Sequence, residues 1–195
     1  MANPMPGDCT RRMAVCAAAL CLAVALSASA LGAAALGAAA QDAPSALKLY
    51  RYASDGFAAS FPSEPRMQTK NIPIEKGSVE LRSYRAEADP AAIFVGVCDY
   101  GASIAGREPD SVLEGAKNAA LANSGSHLVS ETKLTLGIYP GAGYEAESGA
   151  AHFSARLYLV GTTLYQTLVV YPLGKPYAES TRFLDSFQLI ARTRN

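Results

Sequence analysis

Tryptophan is absent from these 195 residues, histidine occurs twice, cysteine four times, and 17 basic side chains are balanced by 17 acidic ones. With no net charge, nothing electrostatic points to nucleic acid or an anionic membrane surface as a partner. The two histidines, His127 and His152, fit neither H-x-x-x-H nor H-E-x-x-H spacing, so no metal site is expected. There is no C-x-x-C pair and no G-x-S-x-G nucleophile elbow, which removes the usual signatures of redox and serine-hydrolase chemistry. What remains is a chain for one domain, half apolar, with its alanine concentrated at the start.

That start has the form of a secretory leader. Arg11 and Arg12 give a positive segment, residues 13–36 carry no charge, and Ala38-Ala39-Ala40 before Gln41 offers a small-x-small cleavage site. Ala38, Ala40 and Gln41 are the expected cleavage residues, with residues 1–40 as signal peptide and 41–46 as a short tether. The uncharged run is long enough for a membrane anchor. Alanine is only weakly apolar, however, and the run ends in small residues before Gln41-Asp42, so cleavage without stable membrane insertion is the expectation. Thr10-Arg11-Arg12-Met13 resembles a twin-arginine signal but lacks the bulky pair after the arginines, leaving that route and the general secretory one open. No cysteine follows a lipoprotein pattern. The expected destination is the periplasm or the medium.

Cleavage would remove Cys9, Cys16 and Cys21, leaving Cys98 as the one cysteine, so that no intramolecular disulfide is possible. All ten tyrosines and six phenylalanines lie beyond the leader. A chain of about 150 residues buries roughly 68–70% of its unfolded surface and holds a core without covalent staples.

Alternating apolar residues and turn signals divide residues 47–195 into strands, a helix, more strands and a short helix. Strands are predicted at 47–52 and 57–61 around Asp55-Gly56, at 72–74, at 79–87, and at 93–100, the last apolar on both faces. Ser111-Val112-Leu113-Glu114 reads as a capping box opening a helix that Gly125 closes. Strands follow at 127–136, 144–148, 152–160 and 164–171. Gly161-Thr162 makes a hairpin turn that would set Tyr158 opposite Tyr165. Pro176 is expected to open a short helix carrying Phe183 and Phe187, and 187–190 could add a last strand. The order implies an α+β fold, a mainly antiparallel central sheet flanked by helices, in one domain.

Few residues suggest chemistry. With no C-x-x-C partner and no basic residue near it in sequence, Cys98 reads as a buried apolar filler rather than a nucleophile or redox thiol, and intermolecular pairing would need it exposed. Glu145 and Glu147 share one strand face, the pattern of a solvated face. Gly141-Ala142-Gly143 has the look of a phosphate loop, but no lysine and no helix follows, so a proline-glycine turn over 137–144 is expected. Its aromatic residues Tyr139 and Tyr144 are the candidate contacts for a partner.

Two segments resemble a known family. Asp55-Gly56-Phe57-Ala58-Ala59-Ser60-Phe61-Pro62-Ser63-Glu64-Pro65 is similar to the opening of many exported bacterial domains of the PsbP-like fold. The ending, Tyr158-Leu159-Val160-Gly161-Thr162-Thr163-Leu164-Tyr165-Gln166 and Arg182-Phe183-Leu184-Asp185-Ser186-Phe187, is similar too. The resemblance implies an α/β/α sandwich of the kind shared by photosystem II extrinsic proteins, DcrB-like envelope proteins and a eukaryotic nuclear-transport factor. The matching positions are a turn, a hairpin and a packing helix, so the resemblance carries over no functional residue. The expected function is a non-catalytic exported domain that binds an envelope protein or aids an assembly, with no cofactor. The alternatives are a small-molecule or lipid carrier and an unrecognised hydrolase.

Overall fold

A computed structural model describes residues 47–74 and 77–193, without the side chain of Ile74. The signal-cleavage residues Ala38, Ala40 and Gln41 lie outside the described residues. Seven strands form one antiparallel sheet in the order β3-β4-β5-β9-β8-β7-β6. They are β3 (Arg66–Ile74), β4 (Gly77–Ala88), β5 (Ala91–Asp99), β6 (His127–Leu136), β7 (Tyr139–Glu147), β8 (Ala151–Val160) and β9 (Thr163–Pro172). A second, three-stranded sheet pairs β1 (Lys48–Tyr52) and β10 (Gln188–Leu189) with β2 (Phe57–Phe61). Helix α1 (Pro109–Ser124) and the short α2 (Ser180–Asp185) complete the fold.

The period-2 alternation of the strands divides the apolar residues between two cores. On one face of the large sheet, Leu81, Phe94, Tyr144, Leu157 and Leu168 pack with Leu113, Ala116 and Ala120 of α1. On the other, Tyr84, Ile93, Val95, Tyr165 and Val169 meet the small sheet and α2. Strand β5, buried from Ala91 to Cys98, runs between the cores as its unbroken apolar run requires. The α+β class is therefore as expected. One flanking layer is a three-stranded sheet with α2 rather than helix alone.

Phe187 is the hub of the second core. Its ring lies parallel to Tyr158 at 5.7 Å and to Phe57 at 5.9 Å, and meets Tyr165 at 5.6 Å. Tyr158 and Tyr165 are directly opposite in the β8–β9 register, as the Gly161-Thr162 turn requires, with Gly161 at φ 60°.

Three local expectations are corrected. Helix α1 starts at Pro109, with Glu108 at its N-cap and no side-chain capping bond, because proline presets the helical φ of the first position. Ser111 and Glu114 thus sit inside the helix. Helix α2 starts at Ser180, not Pro176; a turn through Tyr177 precedes it, and the Ser180 N–H donates to the Tyr177 carbonyl. Strand β3 is nine residues long where three were expected. Its sequence hides it because the edge position leaves residues 66–71 exposed on both faces, removing the alternation.

Candidate functional site

The turn expected over 137–144 is mostly strand. The chain reverses at Gly137-Ile138, with Gly137 at φ 62°, and β7 is already paired at Tyr139. Tyr144 is 5% exposed in the core beneath α1, where the Gln166 amide donates to its hydroxyl at 3.4 Å. It does not reach the surface. Tyr139 is half-buried, and the exposed apolar tip of this hairpin is Ile138. The two glycines serve packing instead of anion binding. A Cβ on Gly141 would stand 2.6 Å from the Tyr158 ring and 2.7 Å from the Leu157 carbonyl, so only glycine fits beneath that ring.

The hairpin β7–β8 builds the most concentrated chemistry. Its register sets Glu147 opposite His152 and Glu145 opposite Ser154, all on the face away from α1. Next to it, β9 sets Tyr171 opposite His152. The imidazole is held at both nitrogens: Nδ1 is 3.1 Å from Glu147 Oε1 and Nε2 is 2.8 Å from Glu145 Oε2. The Ser154 hydroxyl donates to the other oxygen of Glu145 at 2.7 Å. Tyr171 stacks on the imidazole at 4.9 Å and 17°. Burial, then the charges of Glu145 and Glu147, push the Tyr171 hydroxyl above its ordinary pKa.

This arrangement defines what the cluster can do. A neutral imidazole has one N–H, so only the imidazolium donates to both carboxylates at once. Ser154 bonds to the carboxylate and not to the imidazole, which is the wrong order for a hydroxyl activated by histidine. Each carboxylate takes a different ring nitrogen, so both imidazole nitrogens are already held by acids. Among the described residues, no group of three or more His, Cys, Asp and Glu is placed to hold a metal. His127, the other histidine, is exposed and pairs with Glu147 in the β6–β7 register.

A second polar cluster is buried. Asp55, 1% exposed, accepts a hydrogen bond from the Tyr84 hydroxyl on Oδ2. Arg82 Nε lies 2.8 Å from Oδ1, off the line of a hydrogen bond, so that contact is ionic. The Asp55 carbonyl accepts from the Tyr165 hydroxyl at 2.8 Å, and Tyr165 in turn accepts from Arg192 at 3.0 Å. Burial first, then the bond to Asp55, raises the Tyr84 pKa; burial and then Glu64 push Tyr52 up to about 12. The cluster pins the turn between β1 and β2 against the large sheet and the C-terminal segment. The Ile190 N–H donates to the Gly56 carbonyl and the Thr193 N–H to the Ala53 carbonyl.

Cys98 is buried in the first core. A cleft between the end of α1 and the sheet, lined by Leu121, Ser124, Tyr144, Phe153, Gln166 and Leu168, holds about 10 Å³, the space of a single water. Among the described residues, no helix is long and apolar enough to cross a membrane.

Sequence reasoning named His152, Glu145 and Glu147 separately but missed their meeting, and it missed the Asp55 cluster entirely. The first was accessible: counting back through the turn at 148–150 puts His152 across from Glu147.

No protein-family model matches the chain, and no curated protein matches it either. Among solved structures, the chain is similar to cyanobacterial PsbP (CyanoP) from Synechocystis sp. PCC 6803. The TM-score is 0.51 at 12% identity, over 79% of this chain and 98% of that one. At that identity the likeness is one of fold, and the fold is PsbP-like.

Proposed function

We propose that the protein is an exported, non-catalytic binding domain that serves an envelope assembly through a protein partner. The observation that carries this reading is the closure of both polar clusters on themselves. His152 is occupied at both nitrogens by Glu145 and Glu147, and Asp55 is enclosed by Tyr84 and Arg82. Groups that would act on a substrate are instead spent on holding strands together. The leader pattern around Arg11-Arg12 and Ala38-Ala39-Ala40 supports export. The PsbP-like fold agrees with a DcrB-like envelope role without specifying it.

The test is native mass spectrometry of the protein drawn gently from the envelope fraction of its own host, followed by crosslinking in cells. A complex with a different protein is the expected result. A small bound mass would replace this reading with a carrier. Turnover in a substrate screen, abolished by Ser154→Ala or His152→Ala, would replace it with a hydrolase.

A further inference from the structure

Among the described residues, the large sheet ends in two edge strands of different character. Strand β3 carries Arg66 and Lys70 without an acid between residues 66 and 74, and Pro73 removes a backbone donor. Strand β6 at the other edge carries Glu131 and Lys133 on the same face, flanking Thr132. Both are anchored to α1: Lys117 pairs with Glu131, and Lys133 Nζ lies 2.6 Å from Asp110 Oδ2. Helix α1 itself packs over β7 and β8, one strand in from the edge, so among the described residues nothing pairs with the outer edge of β6.

We propose that β6 is a self-association edge. A second copy of this chain docks antiparallel to it, with Thr132 facing Thr132 across a twofold axis. Charge selects both the occupant and the register. An antiparallel pair centred on Thr132 sets Glu131 of each copy opposite Lys133 of the other. Centring on Glu131 would oppose like acids, and centring on Lys133 would oppose like bases. The chosen register extends the ion pairs of each copy into an alternating series: Lys117, Glu131, the other copy's Lys133 and its Asp110. Self-pairing of β3 would instead bring only basic residues together. The irregularity between Leu128 and Ser130 marks where regular pairing gives way, so the ladder centres on residues 130–134. Leu128 and Val129, both exposed, lie just beyond it. This proposal stands apart from the assembly role and needs no other partner.

The test uses the purified full chain. Sedimentation velocity over a concentration series is expected to show a dimer. Lys133→Glu is expected to weaken it by on the order of tenfold, because each attractive cross-copy pair becomes repulsive. Adding Glu131→Lys to that variant should recover most of the loss, although each copy's bonds to α1 remain broken. Register is read independently by oxidising Thr132→Cys, since a residue on the axis faces itself within disulfide reach. Ser130→Cys, off the axis, should not crosslink, and the unsubstituted chain controls for native cysteines. Circular dichroism confirms that each variant is folded. A monomer at every concentration with no Thr132→Cys crosslink would overturn the proposal. So would a dimer indifferent to the charge reversal, crosslinking through Ser130→Cys instead, or a β6 edge occupied by a different protein.

Discussion

Replacing Asp55 with alanine removes the carboxylate that holds the β1–β2 turn against the large sheet. The loss has two parts. The Tyr84 hydroxyl, on a residue 4% exposed, loses its acceptor, and Arg82 loses one counter-charge 2.8 Å away while keeping Glu80 at 3.2 Å. Breaking one partner of a buried ion pair costs about 3–5 kcal/mol. Arg82 is 31% exposed and regains water when released, so about 2–3 kcal/mol is the better expectation here. For a domain of this size each kcal/mol moves the melting temperature by roughly 2–4 °C, giving a fall of roughly 5–10 °C at neutral pH. Differential scanning calorimetry measures it directly. Tyr84→Phe, which removes the donor but keeps the ring between Tyr52 and Phe57, should cost about 1 kcal/mol. Because both changes cut the same bond, the double variant should lose less than the sum of the singles. An Asp55→Ala protein melting within 1–2 °C of the parent would refute the reasoning. It would mean that the aromatic contacts and the backbone bonds at Gly56 and Ala53 hold the turn alone.

Other consequences follow from the same geometry. The hydroxyls of Tyr52, pushed up to about 12, and Tyr84, pushed up as well, stay protonated when folded while unfolded tyrosine ionises near pH 10. The unfolded state then binds fewer protons, so the contribution of these two hydroxyls is fully present below the unfolded value near pH 10 and is lost as pH rises toward 12. Melting temperatures from pH 9 to 11.5 should show that loss, and a flat profile would contradict it. Gly141→Ala should destabilise by roughly 1–3 kcal/mol because its Cβ meets the Tyr158 ring and the Leu157 carbonyl, whereas Gly149→Ala, with open space around it, should be neutral. Urea midpoints separate the two. His152→Ala leaves two half-exposed carboxylates without the group between them and should cost about 1 kcal/mol. Glu145→Gln combined with it should restore part of the loss by removing one charge, and no recovery in the urea midpoint would count against the clamp.

The fold was legible where one periodicity acts alone. Strand β5 is apolar from Ala91 to Cys98 because two cores cover it, and the β8–β9 turn fixed its register through Gly161. Strand β3 was shortened because an edge leaves no alternation to read. The start of α1 was displaced because Ser111 and Glu114 match a capping box while Pro109, two residues earlier, satisfies the first turn without one. In that competition the preset φ of proline prevails over the side-chain bonds. Gly141 and Gly143 looked like a loop because glycine is permissive; their real constraint is the Tyr158 ring and Leu134 across the strands, which local sequence does not contain.

The polar clusters show the same boundary more sharply. Glu145, Glu147 and His152 lie within eight positions of each other, so a short hairpin brings them together and the register could have been counted. The Asp55 cluster joins positions 55, 82, 84, 165 and 192, and no spacing rule connects them. Asp55 looked like half of a turn signal, and it is one: the Asp55 and Gly56 N–H groups both donate to the Tyr52 carbonyl. Its side chain does something the turn does not require. A turn needs no charge 1% exposed to solvent, and burying one is unfavourable unless a cation and a donor wait for it. Arg82 and Tyr84 alternate on one face of β4, two residues apart, and reach the same carboxylate. An acid in a turn is therefore no sign of burial, but an Arg-x-Tyr pair on a strand whose next inward residue is apolar Ala86 indicates a polar group opposite. That inference follows from strand periodicity and hydrogen-bond satisfaction together, and neither gives it alone.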